Sequence, residues 1–403
     1  MEPPMSKAGY RRAKLCVLGA VNAGTFAAAV NLVLTLDPED RISVKRGCAL
    51  TALGFVYFMS LFELFTFAAL FTTSGSRLRH KYRLNCGDVL DINNKLVSAV
   101  QAGLSCVTGA VVCLWSCTRD FMRSSHFMSE AYAWFGAAYF FYDIWSMYLV
   151  HVRQMGFSKT KSSNDKVKSS NEPKNVEESD SLTTISEEVG CMGPKKPKRG
   201  PKCAACGDCL GEGVNIISFF SYCRHEPVIL FHHLFIGGFG FLVIVYLRGG
   251  LGDCVFGFVY LMELSTPFVS LRGILSRLGL KSSRAYLLNG LAMLATFFVC
   301  RVLSLPYVCF MYSRVIGLPY FEAIKSLPTG CKISICILLL PQLYWFYLMS
   351  AGAVKVFVGA ARARAVAGAG AQTGAGARGQ IAMAGAGAKS GAPLAAGDNH
   401  KRS

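Results

Sequence analysis

Charged residues are scarce in this sequence, and acidic residues are the scarcer kind. Only 16% of the 403 residues are charged, and Asp and Glu together number 24 against 42 Lys and Arg. With 52% hydrophobic residues and a mean hydropathy of +0.38, the chain has too little polar area to cover a soluble globule. The composition therefore predicts a polytopic membrane protein.

Several motifs of soluble enzymes are also missing. The sequence contains no G-x-x-x-x-G-K-[ST] phosphate loop, no H-E-x-x-H zinc helix and no G-x-S-x-G elbow. The net charge of +18 does not indicate nucleic acid, because membrane insertion and anionic headgroups both favour basic residues on cytosolic loops. We therefore expect no nucleic-acid partner.

Apolar segments long enough to cross a bilayer, which takes about 20 helical residues, recur along the chain. They lie at 15–36, 49–72, 96–115, 131–150, 227–247, 253–272, 286–312 and 333–357. The first contains Asn22 and Asn31 and follows a short basic segment, so a signal peptide and a signal anchor both stay open for it. The pattern predicts an all-α bundle of seven or eight transmembrane helices.

Composition divides the chain into regions. Residues 1–48 form an N-terminal extension with the first candidate span, and 49–357 form the transmembrane domain. Within it, 157–213 is rich in Ser, Lys, Glu and Pro and is predicted to be a disordered insertion; 358–403 is a low-complexity Ala/Gly tail. The distribution of Lys and Arg places the 73–95 loop, this insertion and the C-terminus in the cytosol.

The 16 cysteines are spread mainly through the apolar segments. Those in the spans, Cys117 and Cys254 among them, are predicted to pack as small hydrophobic side chains. Cys203, Cys206 and Cys209 have the spacing of half a metal site but lack a clear fourth ligand, so a metal, S-acylation and no role stay open, and we predict no metal site.

A histidine pair, His232 and His233, lies inside one apolar segment, and Glu263 lies inside the next. Ionisable side chains at membrane depth are costly and therefore indicate function. A neutral imidazole can take the proton of an attacking amine or hydroxyl, and a carboxylate can fix its tautomer. Adjacent helical residues diverge by about 100°, so one imidazole should face a cavity and the other a neighbouring helix or backbone carbonyl. We predict these three residues as catalytic.

Other polar residues at membrane depth are predicted to line the substrate cavity or to hold the helices together. They are Asp143, Ser265, Thr266, Asn289 and Arg301. Arg301 is expected to neutralise a carboxylate such as Glu263 or Asp143, or to hold a lipid phosphate. The two hydroxyls before Pro267 are expected to satisfy backbone groups that the proline leaves free.

Several of these residues occur in a combination that resembles the TLC-domain family, which includes ceramide synthases and translocon-associated TRAM proteins. The elements are Tyr142-Asp143, His232-His233, the link ending at Asp253, Glu263 to Ser270, Asn289-Gly290, Cys300-Arg301 and Pro341 to Phe346. The resemblance covers roughly residues 50 to 357 without the insertion. Within the family the pattern is most similar to the TLC domain-containing protein 3 (A and B) group.

The resemblance implies a helical bundle around a central cavity open to the cytosol, in the endoplasmic reticulum or Golgi membrane. It implies transfer of a fatty acyl group from acyl-CoA to a sphingoid base, with membrane lipids as partners and no bound cofactor. This chain departs from the His-Asp-x-Ser-Asp-Pro pattern of ceramide synthases, since it has Met262-Glu263-Leu264-Ser265-Thr266-Pro267. A non-catalytic regulator of lipid composition and a TRAM-like accessory protein therefore stay open, as do homo- and hetero-oligomers.

Overall fold

The described residues are all-helical, as predicted, in a computed structural model that covers 7–169, 216–225 and 227–386. The helices are α1 (Lys7–Asn31), α2 (Val44–Phe71), α3 (Thr73–Tyr82), α4 (Cys86–Ser116), α5 (Phe127–Ser169), α6 (Ile216–His225), α7 (Pro227–Leu234), α8 (Asp253–Leu261), α9 (Thr266–Arg277), α10 (Arg284–Phe297), α11 (Ser304–Ile316), α12 (Tyr320–Ser326) and α13 (Thr329–Ala386). The connecting turns are π-helical at Phe235–Gly240, Val243–Leu247 and Phe298–Leu303, and 3-10 at Met262–Ser265.

Two helices extend past boundaries predicted from composition. α5 continues to Ser169 and α13 to Ala386, beyond the expected starts of the insertion at 157 and of the tail at 358. Alanine has the highest helix propensity, so the Ala-rich sequence can propagate the preceding helix. The rest of both regions, including Cys203, Cys206 and Cys209, lies outside the described residues. The chain divides into two compact units, Met1–Leu339 and Leu340–Ser403.

Seven helical segments in the described part of the chain are long and apolar enough to cross a membrane. They are Gly9–Asn31, Val44–Phe71, Cys86–Ser116, Leu230–Leu247, Asp253–Arg277, Arg284–Ile316 and Thr329–Val356. The predicted span at 131–150, in α5, is not among them. Its tyrosines, tryptophans and Asp143 lower its hydropathy.

α5 nevertheless occupies the interior of the bundle. It packs against α2 and α4, and its Tyr142 is 1% exposed and contacts aromatic rings of α2. Arg248 Nη2 donates to Ser129 Oγ at 3.2 Å, and His233 contacts Asp143 further along α5. α5 is therefore antiparallel to the Leu230–Leu247 segment. Because its side chains contact protein, they do not need the hydropathy of a lipid-facing helix.

A row of polar side chains on α4 binds α5 and α8 and was not identified from the sequence. The row consists of Asn94, Ser98, Gln101 and Ser105. Their hydrogen-bond partners are Ser146 Oγ and Tyr142 OH at Asn94, Tyr139 OH at Ser98, Tyr132 OH at Gln101 and the Tyr260 carbonyl oxygen at Ser105. Helical residues spaced by three or four share one face, so this spacing is a signal that the sequence contained.

Close approach of backbones joins α4 to α8. A Cβ atom on Gly109 would lie 2.7 Å from the carbonyl oxygen of Gly257, which is too close for a real side chain. Only glycine therefore allows the two helices to approach to this distance. Beyond this crossing, Cys117 and Cys254 form a disulfide, and we call this side of the bundle the disulfide end. The prediction that these two cysteines pack as reduced side chains was therefore wrong. Their sequence separation of 137 residues hides a proximity that depends on helix pairing.

An ion pair lies beside the disulfide. Arg248 binds the carboxylate of Asp253, which is fully buried, and the backbone N–H of His126 donates to Asp253 Oδ2 at 2.6 Å. Burial lowers the pKa of His126, consistent with a neutral ring whose Nδ1 accepts from the Met128 N–H at 3.2 Å. A second pair, Arg41 with Glu130, connects the α1–α2 loop to α5. These contacts fix the loops at the disulfide end.

Replacing Cys254 with serine should destabilise the protein by about 2–5 kcal/mol, because the disulfide restricts the unfolded chain. The Cys48→Ser variant is the matched control, since Cys48 is an exposed free thiol. Thermal unfolding of the purified proteins measures the difference. Mass spectrometry after maleimide labelling should show two additional reactive thiols in the wild type once a reductant is added. Equal labelling before and after reduction would show that the bond does not form.

Candidate functional site

The histidine pair is divided between two neighbouring structural elements. His233 Nε2 lies 2.7 Å from Asp143 Oδ2 on α5, and the exposed fractions of the two side chains are 14% and 6%. An ionised carboxylate accepts a hydrogen bond, so this contact places the ring proton on Nε2. Asp143 Oδ1 is buried and has no hydrogen-bond partner among the described residues. Asp143 therefore orients His233 and keeps one acceptor available.

His232 points to a different set of residues. Its ring is nearly perpendicular to that of His233, with ring centroids 5.7 Å apart. It lies within electrostatic range of Glu263 and Arg301. The expected divergence of the two side chains thus places His233 against α5 and His232 towards the α8–α9 connection.

Arg301 is the centre of a second polar cluster. Its Nη2 lies 3.1 Å from Glu263 Oε1 and 2.9 Å from Thr266 Oγ1, and its Nε donates to Ser265 Oγ at 2.8 Å. Thr266 Oγ1 also donates to Glu263 Oε2 at 2.5 Å. The exposed fractions are 12% for the arginine side chain and 30% for the glutamate. Arg301 is thus held by one carboxylate and two hydroxyls.

Local departures from α-helix present this second cluster. Glu263 and Ser265 lie in the 3-10 turn Met262–Ser265, which ends just before Pro267, and Arg301 lies in the π-helical turn Phe298–Leu303. Pro267 lacks a backbone donor and so favours an interruption at this point. π-helical turns occur frequently at functional sites because the extra residue redirects a side chain.

The structure confirms one expected contact of the predicted site residues and changes another. Arg301 pairs with Glu263, as expected, whereas the carboxylate at His233 belongs to Asp143 and not to Glu263. Ser265 and Thr266 bind Arg301, although Ser265 Oγ also donates to the Met262 carbonyl at 3.4 Å. These hydroxyls thus act mainly on a side chain and not on freed backbone groups.

Asn289 is separate from both clusters. Its Nδ2 donates to the Phe268 carbonyl oxygen at 2.8 Å, and the residue as a whole is 7% exposed. This bond joins α10 to α9. Asn289 therefore positions the helix that follows Pro267, and the described contacts give it no place beside either histidine.

The architecture and the two polar clusters define a class: a multi-pass helical membrane protein with a histidine–aspartate pair and a glutamate–arginine pair inside its bundle. Residues 91–351, more than half of the chain, match the family model described as the TLC domain. The chain belongs to this family. No solved structure matches it significantly.

The relatives found by comparison belong to a different group of the family from the one expected from the sequence. TLC domain-containing protein 4 of Homo sapiens is 34% identical over 112 residues, which cover 27% of this chain and 43% of that protein. TLC domain-containing protein 4-A of Xenopus laevis is 30% identical over 157 residues, covering 38% and 58%. The matches span about half the length of these relatives. They support the family, and they do not support the expected TLC domain-containing protein 3 group.

Replacing Arg301 with glutamine should reduce the free energy of unfolding by about 2–3 kcal/mol, because it leaves a half-buried carboxylate unpaired. The double variant Arg301→Gln/Glu263→Gln should regain part of this loss. Arg314→Gln removes the same charge from an exposed position and should change stability by less than about 0.5 kcal/mol. Thermal unfolding in lipid nanodiscs measures all three. A double variant less stable than the single variant would contradict the pairing.

Proposed function

We propose that this protein is an acyltransferase of ceramide synthesis, which moves a fatty acyl group from acyl-CoA to the amine of a sphingoid base. The observation that carries the proposal is the contact of His233 with Asp143 inside the bundle. A protein that only binds acyl chains gains nothing from placing this pair at membrane depth. The proposed site is in the endoplasmic reticulum or Golgi membrane, where an oxidising lumen would preserve the disulfide.

In the proposed reaction His233 acts as the general base. With its proton on Nε2 held by Asp143, Nδ1 is the basic nitrogen that takes a proton from the attacking amine. The amine nitrogen forms a bond with the thioester carbon, the carbon–sulfur bond breaks, and the CoA thiolate receives the proton. The products are an N-acyl sphingoid base and free CoA.

As an alternative to direct attack by the amine, His232 is proposed as a transient acyl acceptor. In that route its imidazole nitrogen attacks the thioester carbon as the carbon–sulfur bond breaks, and the ring proton passes to the CoA thiolate. The amine then displaces the imidazole from the acyl group, and the imidazole takes up the amine proton. The Glu263–Arg301 cluster lies within electrostatic range of this ring. In this proposal the cluster fixes the polar side of the cavity, while Asp143 takes the orienting role first assigned to Glu263.

The state of Glu263 supports a second candidate, a non-catalytic regulator of membrane lipid composition. Glu263 is held by Arg301 and Thr266, so it is not available to activate a histidine directly. The motif also lacks the aspartates that accompany the histidines in ceramide synthases. A regulator would bind lipid in the same region without forming dihydroceramide.

The test is dihydroceramide formation by the purified protein in nanodiscs supplied with acyl-CoA and sphinganine. We expect the wild type to form product, and His233→Ala, His232→Ala and Asp143→Asn each to reduce kcat by at least about 100-fold, the scale of general acid–base catalysis. His80→Ala is the control, because His80 is exposed on α3, outside the site. If the wild type forms no more product than His233→Ala, the protein is not this enzyme, and lipid binding by the wild type would favour the regulator.

A further inference from the structure

Unsatisfied hydrogen-bond donors lie at the end of the bundle opposite the disulfide. Arg153 Nε and Nη2 are buried, and neither has a hydrogen-bond partner in the part of the chain that the structure describes. The same is true of Nε2 of the next residue, Gln154. Both side chains are only partly exposed. Three buried donors on one turn of α5 are therefore available to an acceptor.

The two arginine atoms have a particular geometry. Nε and Nη2 form one edge of the guanidinium, and their N–H bonds point in the same direction. This edge matches two oxygens of a phosphate or carboxylate. A buried cation is normally paired, since leaving it unpaired carries a large desolvation cost. An unoccupied edge of this kind is typical of an oxyanion site.

The acidic residues in the first turns of α4 already have partners. Asp91 binds Lys95 and Arg277, and Asp88 caps the start of α4 through Asn85. Neither accepts a hydrogen bond from Arg153 Nε or Nη2.

The start of α4 packs tightly against Gln154. A Cβ atom on Gly87 would lie 3.3 Å from Gln154 Cγ, so the absence of a side chain there lets α5 approach the N-terminal turn of α4 closely. The unsatisfied donors therefore lie beside the first turn of α4, where Asn85 and Asp88 form a capping box.

The position of this site relative to Asp143 suggests its ligand. Arg153 is ten residues after Asp143 on the same helix, which corresponds to about 15 Å along the axis. The distribution of basic residues places this end of the bundle on the cytosolic side, where acyl-CoA is found. The extended pantetheine arm of CoA connects a reactive thioester to phosphate groups. A thioester beside His233 would therefore place those phosphates near the cytosolic end of α5.

We infer that Arg153 and Gln154 bind a phosphate group of the nucleotide part of acyl-CoA. This inference rests on the proposed acyltransferase function, because that proposal identifies acyl-CoA as the ligand. Arg153 grips two phosphate oxygens through Nε and Nη2, and the Gln154 amide donates to the same group. The site anchors the donor at the membrane surface, while the acyl chain lies among the helices.

Binding of CoA to the full-length protein in phosphatidylcholine nanodiscs, measured by calorimetry, tests the inference. Arg153→Gln should weaken binding by about tenfold or more, the effect of losing charge-assisted hydrogen bonds. Arg153→Lys should recover only part of the affinity, because lysine keeps the charge without the two-donor edge. Arg12→Gln is the matched control, since it removes a positive charge from an exposed residue of α1.

Several outcomes would overturn the inference. These are absence of CoA binding by the wild type, equal affinity in Arg153→Gln and Arg12→Gln, and loss of CoA binding when phosphatidic acid is added to the nanodiscs, which would assign the site to a lipid phosphate. Without CoA, Arg153→Gln should be at least as stable as the wild type, because it removes an unpaired buried charge. A lower melting temperature would indicate an acidic partner within the chain and would also contradict the inference.

The measurements separate this site from the proposed reaction. Arg153-dependent CoA binding without dihydroceramide formation would leave the site standing and reject the reaction. Dihydroceramide formation with an unchanged KM for acyl-CoA in Arg153→Gln would reject the site and leave the reaction standing.

Discussion

The free-energy cost of placing charge inside a bilayer constrains this structure. Ion pairs at several depths along the bundle offset that cost. Asp91 pairs with Lys95 and Arg277 near one end, and Arg248 pairs with Asp253 at the other. Between them lie the contacts of His233 with Asp143 and of Arg301 with Glu263. Each pair joins different helices or a helix to its neighbouring turn, apart from the link between Asp91 and Lys95 on α4. Pairing therefore determines which helices are neighbours as well as compensating charge.

The hydrogen bonds between α4 and α5 give the candidate site a fixed support. Tyrosine hydroxyls of α5 bind polar side chains of α4, and Tyr142, next to Asp143, is almost completely buried. Without a strong hydrophobic driving force between helices in lipid, such bonds and close packing determine association. The carboxylate that contacts His233 is therefore presented by the most enclosed helix of the bundle.

Hydropathy alone predicted most of the fold, because membrane spans depend on local composition. It gave the helical class and the seven segments that the structure also identifies as candidate spans. α5 shows the limit of hydropathy as a predictor. This helix is aromatic and polar because it contacts protein, and its composition is less typical of a transmembrane helix than that of its peripheral neighbours.

The sequence also indicated which ionisable residues are unusual, His233, Asp143, Glu263 and Arg301 among them. Their partners depend on three-dimensional packing. Spacing in the sequence therefore could not show that Asp143, and not Glu263, contacts His233.

The link between Cys117 and Cys254 has a consequence for assembly during synthesis. These cysteines are 137 residues apart, and α5, α6 and α7 lie between them. The second cysteine leaves the ribosome only after those intervening helices have been made, so the disulfide cannot form until α1 to α7 have been synthesised. A molecule that contains this bond therefore has α4 and α8 already paired. Until α8 has been made, Cys117 remains a free thiol, and its reactivity distinguishes incomplete chains from complete ones.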